Sequence, residues 1–233
     1  MSSHWELNTH LYDGVKSIER NNDQFVVKTT KNIHQAANIV VATGFYDAPY
    51  LLNVPGENLP KVLHYYREPH PFFDMNLVVV GAANSAVDVA LETYRKGAKS
   101  VTMLIREPEI GTNVKYWVRP DIINRIKAHF NTIITAITET EVLFKNDMGK
   151  QKIENDFVLA MTGYQPNFGL LESLGVTFKE DEHKTPQYNP ETMESFAPGV
   201  YLAGVVCGGY KTNKWFIENS RGHAPLIMEA IQK

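Results

Sequence analysis

The segment that most constrains the fold is Leu77-Val78-Val79-Val80-Gly81-Ala82-Ala83-Asn84-Ser85-Ala86. Its four apolar, mostly β-branched residues suit a strand buried on both faces. A turn of small residues follows, and Ala86, Val87, Ala90, Leu91 and Tyr94 then recur at helical spacing over Ser85–Lys96. Gly97 stands where a left-handed cap would end that helix, and Ser100–Ile105 returns as an apolar strand. Strand, helix and strand within about 30 residues make a βαβ unit, which joins two parallel strands.

The turn has the makings of a dinucleotide fingerprint. Gly81 permits a tight bend, a small residue at Ala83 lets the backbone approach a pyrophosphate, and Ala86 lets helix pack closely on strand. The second glycine of the usual Gly-x-Gly-x-x-Gly pattern is absent, since alanine occupies that place. Gly81, Ala82, Ala83, Asn84, Ser85 and Ala86 are therefore candidate cofactor-binding residues, with the free N–H groups of the helix start aimed at phosphate. The second strand ends at Leu104-Ile105-Arg106-Glu107, where the residue reading the adenosine ribose belongs, about 20 residues past the fingerprint. An acidic side chain there would hydrogen-bond the 2′-hydroxyl of NAD, whereas arginine pairs with the 2′-phosphate of NADP. Arg106 points to NADPH, and a register slip of one residue would put Glu107 in its place and reverse the choice. Lys115 adds positive charge nearby, as does Arg119; either also reads as a solvated surface cation.

Around this unit the patterning gives two further blocks. Ahead of it, Gly14–Ile18, Gln24–Lys28 and Asn38–Ala42 read as strands, the first two joined by Arg20-Asn21-Asn22-Asp23. A stretch rich in proline and aromatics, Phe45–Phe73, then reads as a connector laid over a surface, with His64 and His70 as connector residues lacking metal-ligand spacing. After the βαβ unit come a helix at Pro120–His129, strands at Thr135–Phe144 and Lys152–Leu159 with a turn at Asp147-Met148-Gly149, a strand at Val200–Ala203 and a terminal helix over Trp215–Ile231.

Composition sets bounds on partners and compartment. With 233 residues, 43% of them hydrophobic, the chain can build a core of ordinary size, and its net charge of −3 argues against nucleic acid or an anionic membrane surface. No apolar run reaches the roughly 20 residues that span a bilayer, and Met1–Leu7 lacks the basic start and apolar stretch of a secretory signal. One cysteine, Cys207, allows no internal disulfide and suits a reducing compartment, so cytoplasmic is the expected location. Within Gly204–Gly209 that cysteine reads first as a small packed residue, with a redox-active thiol as the alternative.

Thr43-Gly44 and Thr162-Gly163 each end a short apolar strand and are each followed by aromatic and proline residues. This pair, flanking an inserted dinucleotide unit, resembles the flavoprotein reductases related to thioredoxin reductase. Asn113-Val114-Lys115-Tyr116-Trp117-Val118-Arg119-Pro120-Asp121-Ile122 and Phe216-Ile217-Glu218-Asn219-Ser220-Arg221 narrow the resemblance to the bacillithiol-disulfide reductase family, along essentially the whole chain. The implied fold is α/β: a Rossmann-like three-layer NAD(P)-binding domain at residues 74–165, inserted in a partial FAD-binding domain made of residues 1–73 and 166–233. The resemblance adds Thr43, Gly44, Gly163, Gly204 and Val205 as residues that would line the cofactors. Gly204-Val205 replaces the usual Gly-Asp that holds the flavin ribityl chain, and the Cys-x-x-Cys pair of thioredoxin reductases proper is missing, so no dithiol relay is expected.

The implied activity is that of an NADPH-dependent flavin disulfide reductase-like oxidoreductase, carrying electrons from NADPH through FAD to a small disulfide or another acceptor. A non-catalytic NADPH-binding module is the alternative. A flavin monooxygenase fragment is the third reading, disfavoured because Phe-x-Gly-x-x-x-His is absent and Gly56 to His64 has the wrong spacing. Such reductases open on a glycine-rich turn that cradles the FAD pyrophosphate, and no glycine precedes Gly14. The sequence therefore reads as a fragment, expected to be colourless and inactive on its own, with exposed apolar faces that favour a homodimer.

Overall fold

The computed structural model describes residues 7–112 and 114–232; Met1–Glu6, Asn113 and Lys233 lie outside the described residues, and with them all but the last residue of the opening stretch and the first residue of the Asn113–Ile122 motif. The chain divides into two compact units, residues 49–163 and residues 1–48 with 164–233. The architecture is mixed α/β, with the first unit inserted between the two halves of the second.

The inserted unit contains strands β1 (Val62–Leu63), β2 (Asn76–Val80), β3 (Ser100–Leu104) and β4 (Lys127–His129), then β5 (Ile133–Ile137), β6 (Glu141–Asn146), β7 (Gly149–Glu154) and β8 (Phe157–Ala160). Five of them form a parallel sheet in the order β1-β8-β2-β3-β4, in which Val80 lies opposite Leu104 and Leu159 opposite Val79. The alternation of side chains along β2 splits its apolar run between two layers. Leu77 and Val79 pack with Ala86, Val87, Ala90 and Leu91 of helix α1 (Asn84–Arg95). Val78 and Val80 face Ile134, Ile137, Val142 and Phe144 of the antiparallel meander β5-β6-β7. Each such side chain, taken fully from water, contributes roughly 1.5–3 kcal/mol. The result is a three-layer stack of helices, parallel sheet and meander, so one outer layer is β-structure. Gly97, at φ +94°, closes α1 as expected.

Several elements differ from the sequence reading. The helix expected over Pro120–His129 stops at Arg125, as α2 (Arg119–Arg125); Ile126 turns extended and buries its side chain, and Lys127–His129 pairs with β3 as the edge strand β4. Non-local pairing overrides local pattern here. The single strand expected over Thr135–Phe144 is two strands, because Thr138 Oγ1 accepts the N–H of Glu141 at 3.0 Å and turns the chain between β5 and β6. The turn at Asp147-Met148-Gly149 joins β6 to β7, with Gly149 at φ +94°.

The compact unit begins at Pro49, not near residue 74, because the connector is built into it. Val62 and Leu63 form β1, Leu52, Val54 and Leu59 pack on the meander side, and Phe72 is buried on the helix side. Polar groups stitch it in place: Glu57 accepts the N–H of Leu52 at 2.5 Å and of Asn53 at 2.7 Å, and His64 Nε2 lies 3.5 Å from the same carboxylate. Lys61 Nζ donates to Asn155 Oδ1 at 3.1 Å, and burial lowers its pKa. Pro55 O accepts the N–H of Ile137 at 2.8 Å, bringing the two backbones so close that a Cβ on Gly56 would lie 1.8 Å from Ile137 O.

In the second unit Val15–Asn21, Gln24–Thr29 and Ile33–Ala36 form an antiparallel sheet, the last a strand the sequence reading did not anticipate. Ile39–Val41 pairs in parallel with Val200–Leu202. The terminal helix is broken at Arg221-Gly222 into Ile217–Ser220 and His223–Ile231. Among the described residues no helix is long and apolar enough to cross a membrane.

Gly56→Ala is expected to lower stability by at least about 2 kcal/mol, combining an overlap with backbone and a φ of +83°. Gly222→Ala, where a Cβ would meet nothing within 4 Å, should change it by no more than about 0.5 kcal/mol. Chemical denaturation of the two variants beside the parent checks both.

Candidate functional site

β2 can pass into α1 at this angle only because residue 81 has no side chain. Gly81 sits at φ +131°, and a Cβ there would lie 2.5 Å from Met161 O and 3.1 Å from Ala86 Cβ. Its N–H donates to Leu104 O at 3.2 Å, fixing the turn to the end of β3. Ala83 is the N-cap of α1 and has no side chain to cap the first turn. The leading N–H groups of α1 therefore lack intrahelical acceptors and gather the positive end of the helix dipole.

In front of this turn lies an open cavity of about 820 Å³, wholly within the inserted unit, at the carboxyl ends of β2, β3 and β8. Of the residues read as cofactor-binding, Gly81, Ala82, Ala83, Ser85, Arg106 and Gly163 line it. Ala86 is buried beneath the helix, where it provides the close packing expected of it. Tyr50–Leu52 form one wall, held to the end of β8 by Tyr50 N–H donating to Gly163 O at 3.0 Å and Thr162 Oγ1 donating to Tyr50 O at 2.5 Å. Thr132–Ile134 form another. Sequence reasoning missed both walls, since nothing local marks a segment that becomes a wall only through strand order.

The cations around the turn have different employments. Arg106 stands two residues past β3 with its side chain 82% exposed, and both it and Glu107 line the cavity. Its Nη2 lies 3.1 Å from Glu107 Oε1, an exposed pair of the kind worth about 0–1 kcal/mol and readily exchanged for a stronger anion. Lys115 does not line the cavity: its Nζ pairs with Asp88 of α1 at 2.8 Å, and its N–H donates to Asn84 Oδ1 at 3.1 Å. Asn84 thereby ties the following segment to the helix. Arg119 is also structural, its Nη2 donating to Gly111 O at 2.7 Å while Gly111 N–H donates to Ala82 O at 2.9 Å. Arginine, glycine loop and fingerprint form one chain of contacts.

Thr43, Gly44, Gly204 and Val205 belong to the other compact unit. There Val41 lies opposite Leu202 and Ala203 N–H donates to Val41 O at 3.0 Å, so the two segments leave the same end of a parallel pair. Gly44 and Gly204 both sit at φ +74°, and a Cβ on either would meet nothing within 4 Å, which leaves open backbone at that end. Cys207 is buried beside them, and burial pushes its thiol up to about 12. His223 Nδ1, 4.0 Å from Sγ, accepts the N–H of Gly204 at 3.1 Å, and burial lowers its pKa. A neutral imidazole beside a protonated thiol is a packing arrangement, not a thiolate pair.

Residues 1–204 match the family described as pyridine nucleotide-disulphide oxidoreductase. The chain is 42% identical over 220 residues to bacilliredoxin reductase Bdr of Bacillus subtilis strain 168, covering 91% of this chain and 67% of that protein. The structure resembles bacillithiol disulfide reductase Bdr (YpdA) of Staphylococcus aureus with a TM-score of 0.92 and 36% identity, over 99% of this chain and 73% of that one. The Bacillus cereus counterpart gives a TM-score of 0.91 and 39% identity, over 100% of this chain and 75% of that one.

The buried thiol leads to a simple expectation. The native chain should resist Ellman's reagent at pH 8, and the single cysteine should react fully once guanidinium unfolds it. Rapid labelling of the native protein would contradict the packing role.

Proposed function

The chain belongs to the pyridine nucleotide-disulphide oxidoreductase family and, within it, to the bacillithiol disulfide reductases, and from that membership we propose that it carries the NADPH-binding part of a flavoprotein oxidoreductase whose acceptor is a small disulfide. The observation that carries this reading is one cavity lined by the Gly81–Ala83 turn and, at the end of the neighbouring strand, by Arg106. The residues fit a dinucleotide. Bare backbone at Gly81, a small Ala83 and the uncapped start of α1 suit a pyrophosphate, because oriented N–H groups are in place before the ligand arrives. Arg106 exchanges Glu107 for the 2′-phosphate, a dianionic partner that accepts its planar fork. Tyr50–Leu52 and Met161–Gly163, bonded to each other, shield one side of the cavity from water.

In the second unit the open backbone at Gly44 and Gly204 suits a flat cofactor laid against the strand ends, and we assign Thr43, Gly44, Gly204 and Val205 to FAD. NADPH and FAD supply the hydride and electron transfer when bound; the chain's own side chains orient them and set the preference for the phosphorylated nucleotide. The small-disulfide acceptor is carried over from the names of the bacillithiol and bacilliredoxin reductases, and a single cysteine suits the cytoplasm, where thiols stay reduced.

Titration with both nucleotides tests the assignment. NADPH should bind about tenfold to hundredfold more tightly than NADH, and Arg106→Ala should erase the difference, a charge-assisted pair being worth about 1.5–3 kcal/mol. Equal affinities in the parent protein overturn it. Ala83→Leu should abolish nucleotide binding with an unchanged circular dichroism spectrum, since the side chain enters the cavity and not the core.

A further inference from the structure

In the second compact unit three metal-ligating side chains converge: His10, Asp13 and His34. One donor atom from each, two imidazole nitrogens and a carboxylate oxygen, lies within 4.8 Å of the others. His34 Nε2 is 4.0 Å from Asp13 Oδ2, and the two imidazole rings meet edge-on with centroids 4.9 Å apart.

The carboxylate is held in place by its surroundings. The Asp13 side chain is 1% exposed and accepts hydrogen bonds from Thr30 Oγ1 at 3.1 Å, Lys31 N–H at 2.8 Å and Asn32 Nδ2 at 2.9 Å. The same two segments are stitched twice more, by Thr30 N–H to Gly14 O at 2.9 Å and Lys31 Nζ to Leu11 O at 3.1 Å. His34 is fixed differently, by its place on the strand Ile33–Ala36 opposite Val27. A carboxylate oriented by its own hydrogen-bond donors and an imidazole set on a sheet are the supports that first-row metal sites use to position ligands. By contrast His10 is an exposed residue whose ring contacts that of His34 edge-on.

We propose that His10, Asp13 and His34 form a binding site for a divalent transition-metal ion, with Zn²⁺ the ion its nitrogen and oxygen donors suit best. Zinc takes imidazole nitrogen and carboxylate oxygen at about 2.0–2.2 Å, which in a tetrahedron sets neighbouring donors roughly 3.3–3.6 Å apart. The present spacing closes to that by small rotations of the two histidine rings. Three protein ligands leave one position for water, and the ion would clip the segment His10–Asp13 to the strand Ile33–Ala36. The site is independent of the cavity at Gly81.

Zinc titration of the chelator-treated full chain by calorimetry, paired with Co²⁺ addition read by visible absorption, tests the site. One ion per chain at micromolar concentration, ligand-field bands from bound Co²⁺ and a melting temperature that rises with Zn²⁺ are expected. The double variant His10→Ala/His34→Ala should lose all three while melting like the metal-free parent. Asn32→Ala, which removes only a support of the carboxylate, should weaken binding by about 10- to 100-fold. Absence of Co²⁺ bands and of zinc uptake in the parent overturns the proposal, as does undiminished binding in the double variant.

Discussion

The contact between Gly81 and the carbonyl of Met161 governs the geometry of the inserted unit. A backbone carbonyl 2.5 Å from where a Cβ would be leaves room for hydrogen alone, and this lets the end of β8 press against the turn leaving β2. Because β2 stands between β8 and β3 in the sheet, the same closeness sets where α1 begins and how it lies across the strands. Ala86, fully buried, extends the requirement one turn into the helix. The turn that packs the unit also lines the cavity, so the proposed nucleotide site rests on the same few atoms as the unit's stability.

Much of this was legible because its cause is local. Four apolar residues, a small turn and a helical repeat lie within twenty residues of one another, and they come out as strand, turn and helix. What was not legible depends on partners far away in the chain. Val62 becomes an edge strand because Val158 is beside it, and Lys127–His129 leaves the helix because β3 offers an open edge. Gly56 reads as one glycine among many until Ile137 O is found against it. At the cavity, Gly81–Ala83 and Arg106 could be named from their spacing as candidates, whereas the Tyr50–Leu52 and Thr132–Ile134 walls are products of strand order. His10, Asp13 and His34 were passed over for the same reason, since two lie before the first strand and the third on a strand the pattern did not disclose.

The charges near the turn show why composition alone cannot assign a recognition residue. Lys115, Arg119 and Arg106 lie within fourteen residues, and each was a candidate for meeting phosphate. Arg119 is committed to a carbonyl of its own loop, and Lys115 to a carboxylate on α1. Among the described residues Arg106 pairs with its exposed neighbour Glu107, and a guanidinium so loosely engaged loses little when it changes partner. In the proposed NADPH site selectivity would rest on Arg106, while Lys115 and Arg119 keep the surrounding loop in shape.

The pair of bonds between Tyr50 and the Thr162–Gly163 segment has a consequence for how the chain is assembled. They bring the entry and the exit of residues 49–163 within hydrogen-bond reach, so a stretch of more than a hundred residues departs from the host and returns to it at nearly the same point. For the host, the entropy of closing such an excursion is that of a loop a few residues long, because the inserted unit brings its own ends together as it folds. The insertion behaves as a cassette: a short linker joining Ala48 to Tyr164 would span the same gap, and the excised cassette would keep its own sheet whole.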